Sequence, residues 1–421
     1  MNLVAEYGYV LLVLACCFGF FMAWGVGAND VSNAMGTSVG SKALTIKQAI
    51  LVAMVFEFAG AYLAGGQVTE TIKNGIVAAD VIPPDLFILG MMSALLSAGT
   101  WLLIASTRGW PVSTTHSIVG ALIGFASVGV SVDAVNWSGL VPIVSSWVIT
   151  PLISGVIAFG LFKSVQWLII DTDNPFRNAK RWVPVYMFLT GFMLALMTFT
   201  KGLKHVGLDF SRGESLMLSV LVGVIVAAIG VALLTRIKLD PEANKTFQFA
   251  SVERVFAVLM IFTACAMAFA HGASDVSNAV GPLAAVVGVI EAGGDMAVGG
   301  KSPVPGWVLL LGAVGIVVGL ATYGWKVIAT IGKGITELTP SRGFAAELAT
   351  AGTVVMASGI GLPVSTTHTL VGAVLGIGLA RGIGALNLSV VGKIFSSWVI
   401  TLPVGAVLAI IYFEVMMLIF L

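Results

Sequence analysis

The chain has 421 residues, 58% of them hydrophobic and only 10% charged, with a mean hydropathy of +1.03. That composition excludes a soluble globular domain and points to a polytopic membrane protein. A net charge of +1 says nothing about partners, and Cys16, Cys17 and Cys265 all lie in apolar runs where thiols behave as small hydrophobes, so no disulfide framework is expected.

Apolar runs of about 20 residues, the length that crosses a hydrocarbon core, recur from end to end. They lack the alternation of barrel strands, and backbone in lipid must bond to itself, so the expected fold class is all-α. Leu3 to Trp24 is too long for a signal-peptide core and has no basic stretch before it, so it reads as a retained first span. Gly25 and Gly27 are expected to break the backbone there, before a polar decapeptide, Gly27 to Gly36, starts a short second segment. Ile46 to Gly65 follows with an ionisable Glu57 in its middle, then a polar stretch closed by Pro83 and Pro84, then the span Phe87 to Ser106.

Arg108 and Gly109 lead into Pro111-Val112-Ser113-Thr114-Thr115-His116, whose apolar continuation ends near Val130, short of a full crossing. Leu140 to Leu161 is long and apolar again, and the basic stretch Lys163 to Trp182 ends a first unit. Val183 to Phe199 and Leu216 to Leu234 are two central spans. A second unit runs from near Ser251 to Leu421, with an extra Gly-rich, charged loop at 291–305. The expected organisation is 1–170, 171–250 and 251–421.

The two units are copies. Gly27-Ala28-Asn29-Asp30-Val31-Ser32-Asn33-Ala34-Met35-Gly36 returns as Gly272-Ala273-Ser274-Asp275-Val276-Ser277-Asn278-Ala279-Val280-Gly281. Pro111 to His116 returns as Pro363 to His368, and Ser145-Ser146-Trp147-Val148-Ile149-Thr150 as Ser396 to Thr401. Three matches in one order are an internal repeat. Lys163, Arg177, Lys180 and Arg181 precede the central spans, and Arg236, Lys238, Lys245 and Arg254 follow them, so both loops are placed in the cytoplasm. Lys201, Lys204 and Arg212 between the spans make that bias modest. An odd number of crossings per unit then leaves the second unit inverted and both chain ends outside, an arrangement typical of secondary transporters.

Asp30 and Asp275 are the sharpest observations, since a carboxylate at mid-membrane costs roughly 2.5 to 3.5 kcal/mol even on a forgiving scale. Cation coordination compensates such a cost. In a helix Asn29 and Asn33 stand four apart and Asp30 and Asn33 three apart, on one face, and hard oxygen ligands suit Na⁺ better than a transition metal. Asn29, Asp30, Asn33, Asp275, Ser277 and Asn278 are therefore candidate sodium ligands, against the alternative of a polar clamp between helices. Ser113-Thr114-Thr115 and Ser365-Thr366-Thr367 each follow a proline where a helix N-terminus leaves amides unpaired, a setting that suits phosphate oxygens, with plain helix capping as the alternative. Asn29 and Asp30 join this phosphate set. His116 and His368 could relay protons, although tying the broken helix to its neighbours is preferred. Glu57 and Glu347 are coupling candidates and are not repeat equivalents, since Leu95 stands opposite Glu347.

Gly27 to Ser41, continuing Lys42-Ala43-Leu44-Thr45, together with Gly272 to Pro282 and both Pro-Val-Ser-Thr-Thr-His segments, resembles the PiT family of inorganic phosphate transporters over nearly the whole chain. The resemblance implies about a dozen membrane segments in inverted repeats with broken or re-entrant helices near the midplane. It also implies symport of phosphate with Na⁺, or with H⁺ in some bacterial members. It points to Asn29, Asp30, Asn33, Asp275 and Asn278 and the Ser-Thr-Thr triplets in the site, and Glu57 and Glu347 match acidic positions of the family. Some relatives are thought to carry sulfate. Ser274 departs from the usual Asn, so the half-sites should be unequal, and the large hydrophilic loop of animal members is absent, which looks prokaryotic. Expected partners are phosphate, Na⁺ as coupling ion, membrane lipid and a second copy of the chain, without nucleic acid or cofactor. The expected location is a cell membrane, and the rival class is an anion channel. No metal-ligand spacing, nucleophile elbow or nucleotide loop points to an enzyme.

Overall fold

A computed structural model describes residues 3–200, 203, 208, 210–238, 245–296, 303–331, 338–382 and 388–421. Among them the secondary structure is helical, and one isolated bridge, Val77 to Val135, is the only extended pairing. Among the described residues eight helices are long and apolar enough to cross a membrane. Lys201, Lys204, residues 297–302 of the Gly-rich loop and the side chains of Lys245, Ser397 and Trp398 lie outside the described residues.

The first unit begins with α1 (Leu3–Gly40), a single rod of 38 residues, roughly 57 Å long at the helical rise. The break expected at Gly25 and Gly27 does not occur. A Cβ on Gly27 would sit 1.9 Å from the Ile316 carbonyl oxygen, and one on Gly25 would sit 2.9 Å from Leu102 Cβ. These glycines serve close helix approach, and the backbone stays hydrogen-bonded through them. After α1 come α2 (Ile46–Ala64), started by a capping box on Thr45 and Gln48, and the short α3 (Gly66–Asn74). The next helices are α4 (Pro84–Thr107), α5 (Thr114–Gly124), prolonged by a wider turn at Phe125–Val130, and α6 (Trp137–Val165). The central pair is α7 (Pro175–Thr200) and α8 (Arg212–Thr235).

In the second unit α9 (Lys245–Asp275) and α10 (Ser277–Glu291) correspond to α1, with an interruption at Val276. Val276 keeps helical angles, φ −55° and ψ −31°, and its carbonyl still accepts from the Val280 amide at 2.9 Å, so the two segments continue one rod. Pro282 has no N–H for the Asn278 carbonyl four residues back, whereas Thr37 stands at the matching place in α1. Then follow α11 (Gly306–Thr322), α12 (Gly324–Ile331), α13 (Pro340–Gly359), α14 (Thr366–Arg381) and α15 (Leu388–Phe420).

Directions follow from contacts. The Tyr7 and Phe420 rings lie 5.8 Å apart, so both chain ends share one face, called here the terminal face. Helix α4 runs parallel to α1, with Gly99 against Phe21 and Leu102 against Gly25. Helices α7 and α8 are antiparallel, with Gly191 against Val226 and Gly230 against Met187. The central pair returns the chain to the far face, where α9 starts, so the second repeat is inverted relative to the first.

The units also interlock. Gly120 and Gly124 of α5 meet the backbone of Leu402 and Ala406 in α15, and Gly372 and Gly376 of α14 meet that of Pro151 and Gly155 in α6. Each unit's short helix thus packs on the other unit's last helix. Two re-entrant hairpins result, α4–α5 and α13–α14, whose tips approach each other in the interior. Their linkers turn on Gly109 (φ 68°) and Gly361 (φ 74°), a left-handed conformation that favours glycine.

Candidate functional site

The decapeptides and hairpin tips meet in one buried cluster. Asp30, Asn33, Thr114, Thr115, Asp275, Asn278, Thr366 and Thr367 are all 2% exposed or less. Ser113 and Ser365 are the N-caps of α5 and α14: each accepts a hydrogen bond from the backbone N–H of the histidine three residues on, at 3.2 and 3.3 Å. Capping leaves the amides of the first turn as the donors that a helix does not use internally.

Side chains in the cluster are paired by a pseudo-two-fold rule. Thr114 donates to Asp30 Oδ2 at 2.6 Å, and Thr366 donates to Asp275 Oδ2 at 2.8 Å. The asparagines cross between units: Asn33 Nδ2 donates to Thr367 Oγ1 at 2.8 Å and reaches Thr366 Oγ1 at 3.4 Å, and Asn278 Nδ2 reaches Thr114 and Thr115 at 3.2 and 3.3 Å. Asn33 Nδ2 also lies 3.1 Å from Asp30 Oδ1. Thr115 donates to the Val364 carbonyl at 3.1 Å and Thr367 to the Val112 carbonyl at 3.3 Å, tying the two tips together.

Hydrogen counting orients the amides. Every threonine hydroxyl here donates its one hydrogen to a carboxylate or a carbonyl, so each can only accept from an asparagine. Both carboxamides must therefore turn NH₂ toward the threonines. Their oxygens are left over: Asn33 Oδ1, Asn278 Oδ1 and Asp275 Oδ1 are buried with no hydrogen-bond partner. A buried acceptor set of this kind calls for a cation or a proton donor.

Other expected site residues lie elsewhere. Both ends of the Asn29 carboxamide are engaged by the first linker: Nδ2 donates to Ser106 Oγ at 3.2 Å and to the Trp110 carbonyl at 2.9 Å, and Oδ1 accepts from the Val112 amide at 3.1 Å. Ser277 folds its hydroxyl back onto the Ser274 carbonyl, as Ser32 does onto Asn29 at 2.8 Å. Glu347 sits apart in a cage of hydroxyls, accepting from Thr37 (2.7 Å), Ser38 (2.6 Å) and Thr263 (2.6 Å). His116 and His368 meet edge to face behind the two tips, ring centroids 4.3 Å apart and planes at 81°, with Trp147 3.9 Å from His116.

Sequence reasoning passed over His271. It is fully buried between three carboxylates, its Nδ1 3.2 Å from Glu57 Oε1, its Nε2 3.1 Å from Asp275 Oδ2 and 4.0 Å from Asp30 Oδ2. Glu57 thus belongs to the site through His271. A usable signal existed: a lone histidine in an apolar run directly before the second decapeptide, where the first copy has Val26. Asp30, His271 and Asp275 also place ligand atoms within 4.8 Å of one another.

This geometry has known relatives. The chain is 54% identical over 422 residues to a protein of Haemophilus influenzae named as a phosphate permease, covering 100% of both. It is 44% identical to the chloroplastic inorganic phosphate transporter 2-1 of Arabidopsis thaliana, covering 94% of this chain and 70% of the plant protein. Among solved structures, one described as the sodium-dependent phosphate transporter superposes with a TM-score of 0.90 at 39% identity, covering 97% of this chain and 100% of that one. A family model described as the phosphate transporter family matches residues 26–409, and the chain belongs to that family of membrane transporters.

Proposed function

We propose that the protein is a secondary active transporter that moves inorganic phosphate together with Na⁺ by alternating access, in a cell membrane with both chain ends outside. The observation that carries the reading is the reciprocal network at the hairpin tips. It offers two kinds of partner at once: unused first-turn amides of α5 and α14 for an oxyanion, and the oxygens of Asp30, Asp275, Asn33 and Asn278 for a cation. Neither half is neutral alone. Sodium at the acceptor oxygens offsets the charge of phosphate and aspartates together, so the loaded site can be occluded, whereas a half-loaded site retains uncompensated charge.

The same acceptors suit the P–OH hydrogens of phosphate. Sulfate at neutral pH has none, which favours phosphate as the anion. Proton coupling is the second reading, and His271 is the observation that favours it. An imidazole within 3.2 Å of Glu57 and Asp275 can gain or lose a proton where the cation would bind.

Proteoliposomes loaded with the purified protein separate these cases. Radioactive phosphate uptake is expected to follow an imposed inward Na⁺ gradient at constant pH, to saturate, and to persist in the presence of excess sulfate. Uptake driven by a pH gradient in Na⁺-free buffer would transfer the coupling to the proton, and uptake that never saturates would indicate a channel.

A further inference from the structure

The two hairpin linkers have the same backbone. In the first, the amides of Arg108, Gly109 and Trp110 bond to the carbonyls of Ala105, Ser106 and Ala105 at 3.1, 3.1 and 2.9 Å. In the second, the amides of Ile360, Gly361 and Leu362 bond to Ala357, Ser358 and Ala357 at 3.2, 3.0 and 3.0 Å. Their tips hold each other through Thr115 and Thr367 in equivalent bonds. What differs is the side chain that the neighbouring decapeptide presents.

Asn29 clasps the first linker with three hydrogen bonds, to Ser106 Oγ, the Trp110 carbonyl and the Val112 amide. Ser274 stands in its place in the second unit, and among the described residues its side chain makes no hydrogen bond to the second linker. A serine hydroxyl is too short to span the three positions that a carboxamide reaches. The consequence is visible at Ser358, the counterpart of Ser106. Its hydroxyl is buried and has no partner. Two hydroxyls from other helices hold the second linker by its carbonyls alone, Thr71 at Gly361 (2.6 Å) and Ser146 of α6 at Pro363 (3.4 Å), and neither engages its amides as Asn29 engages the Val112 amide.

The linkers also face opposite ways. Helix α4 starts at the terminal face and runs parallel to α1, so the first linker lies on the far-face side of the site. Helix α13 starts at the far face, where the Ser341 amide bonds to Glu253 of α9 at 2.8 Å, and delivers the second linker beside Thr71 of α3 on the terminal-face side.

We infer that the hairpins are unequal gates: Asn29 is a positioning residue that braces the first, and Ser274 leaves the second to open more readily, toward the terminal face. Opening to the far face then requires loss of the Asn29 clasp and is the slower step. This assignment of gates rests on the carrier reading for its consequence, but the mobility of the two linkers can be measured without transport.

Hydrogen–deuterium exchange of the full chain in lipid nanodiscs reads it directly. In the unaltered protein the amides of 362, 364 and 365 are expected to exchange at least about tenfold faster than those of 110, 112 and 113, the sign of lower local stability. Asn29→Ser should raise exchange at 110, 112 and 113 and leave 362, 364 and 365 unchanged. Ser274→Asn, which returns a partner to Ser358, should slow exchange at 362, 364 and 365 toward that of 110, 112 and 113. Equal exchange of the two linkers in the unaltered protein, or slower exchange in the second, overturns the inference, and this comparison stands even if a variant does not fold. Linkers that differ as expected in a protein that does not carry phosphate would instead remove the carrier reading alone.

Discussion

Asp30 and Asp275 each hold one threonine hydroxyl and leave other acceptor capacity open, and on the proposed reading it is their charge, beyond their shape, that would matter. Replacing either by asparagine keeps the volume and removes the negative charge. Na⁺-dependent phosphate uptake is expected to fall roughly 5- to 150-fold in Asp30→Asn and in Asp275→Asn, the span of ordinary coupling free energies, with membrane levels of protein retained. Unchanged uptake in both would leave the aspartates structural. Thr114→Val should be damaging in a different way, because it removes a donor to Asp30 and an acceptor of Asn278 together. A buried group left short of a partner costs about 1–3 kcal/mol, so a lowered melting temperature is expected, with Thr114→Ser near normal. The acids, the asparagines and the Ser-Thr-Thr triplets were legible in the sequence because each occurs twice in a fixed order. The engagement of Asn29 was not, because a carboxamide looks the same in sequence whether it meets an ion or a backbone linker. His271 went unread for the opposite reason: it has no counterpart in the first copy, so a search guided by repetition passes over it.

At the level of helices, glycine settles what can approach what. Gly27 meets the Ile316 carbonyl and Gly319 the Trp24 carbonyl, each at 1.9 Å from an added Cβ, so α1 and α11 touch backbone to backbone. A methyl group there forces the helices apart, and overpacking of this kind costs typically 1–3 kcal/mol. Gly27→Ala is therefore expected to lower the melting temperature in detergent although the residue binds nothing. Lys42 makes the opposite case. It ends α1 in the left-handed conformation, φ 63°, while the Ala43 and Leu44 amides close on the Ser38 carbonyl. That conformation costs a side-chain-bearing residue about 1–2 kcal/mol, and glycine relieves it while adding about 0.4–1 kcal/mol of unfolded-state entropy. The relief is the larger, so Lys42→Gly should stabilise modestly, and a melting temperature below that of the parent would refute the strain. Hydropathy alone placed Ile46–Ala64, Pro84–Thr107 and Arg212–Thr235 to within a few residues, but it ended the first helix at Trp24 where α1 runs on to Gly40 and began the first central span eight residues late, because polar helical turns carry no hydropathy signal. Sequence reasoning misjudged Gly25 and Gly27, because glycine marks both broken backbone and close contact, and only the packed partner tells them apart. Exchange of α5 and α14 between the units left no mark in hydropathy either, since an apolar helix reads the same against any apolar neighbour.

Over the whole molecule, the interlocked inverted units put one acid, one asparagine and one helix N-terminus from each side around a single centre, so on the proposed reading a cation and an anion bound there would not bind independently. Thermodynamic linkage makes this measurable without any transport. A ligand that binds only the folded state stabilises it by an amount that grows with concentration over Kd, about 2.7 kcal/mol at 100 times Kd. If Na⁺ at the acceptor oxygens offsets charge that phosphate brings, phosphate should raise the melting temperature of the detergent-solubilised protein strongly in NaCl and hardly at all in choline chloride. By reciprocity, Na⁺ should stabilise more in the presence of phosphate than in its absence. The joint shift should then exceed the sum of the separate ones, and Asp275→Asn should reduce the excess while keeping the anion-facing amides of α5 and α14. Strictly additive shifts would mean that the two ions bind at uncoupled sites, and a phosphate shift of equal size in choline would leave Na⁺ without a role at this centre.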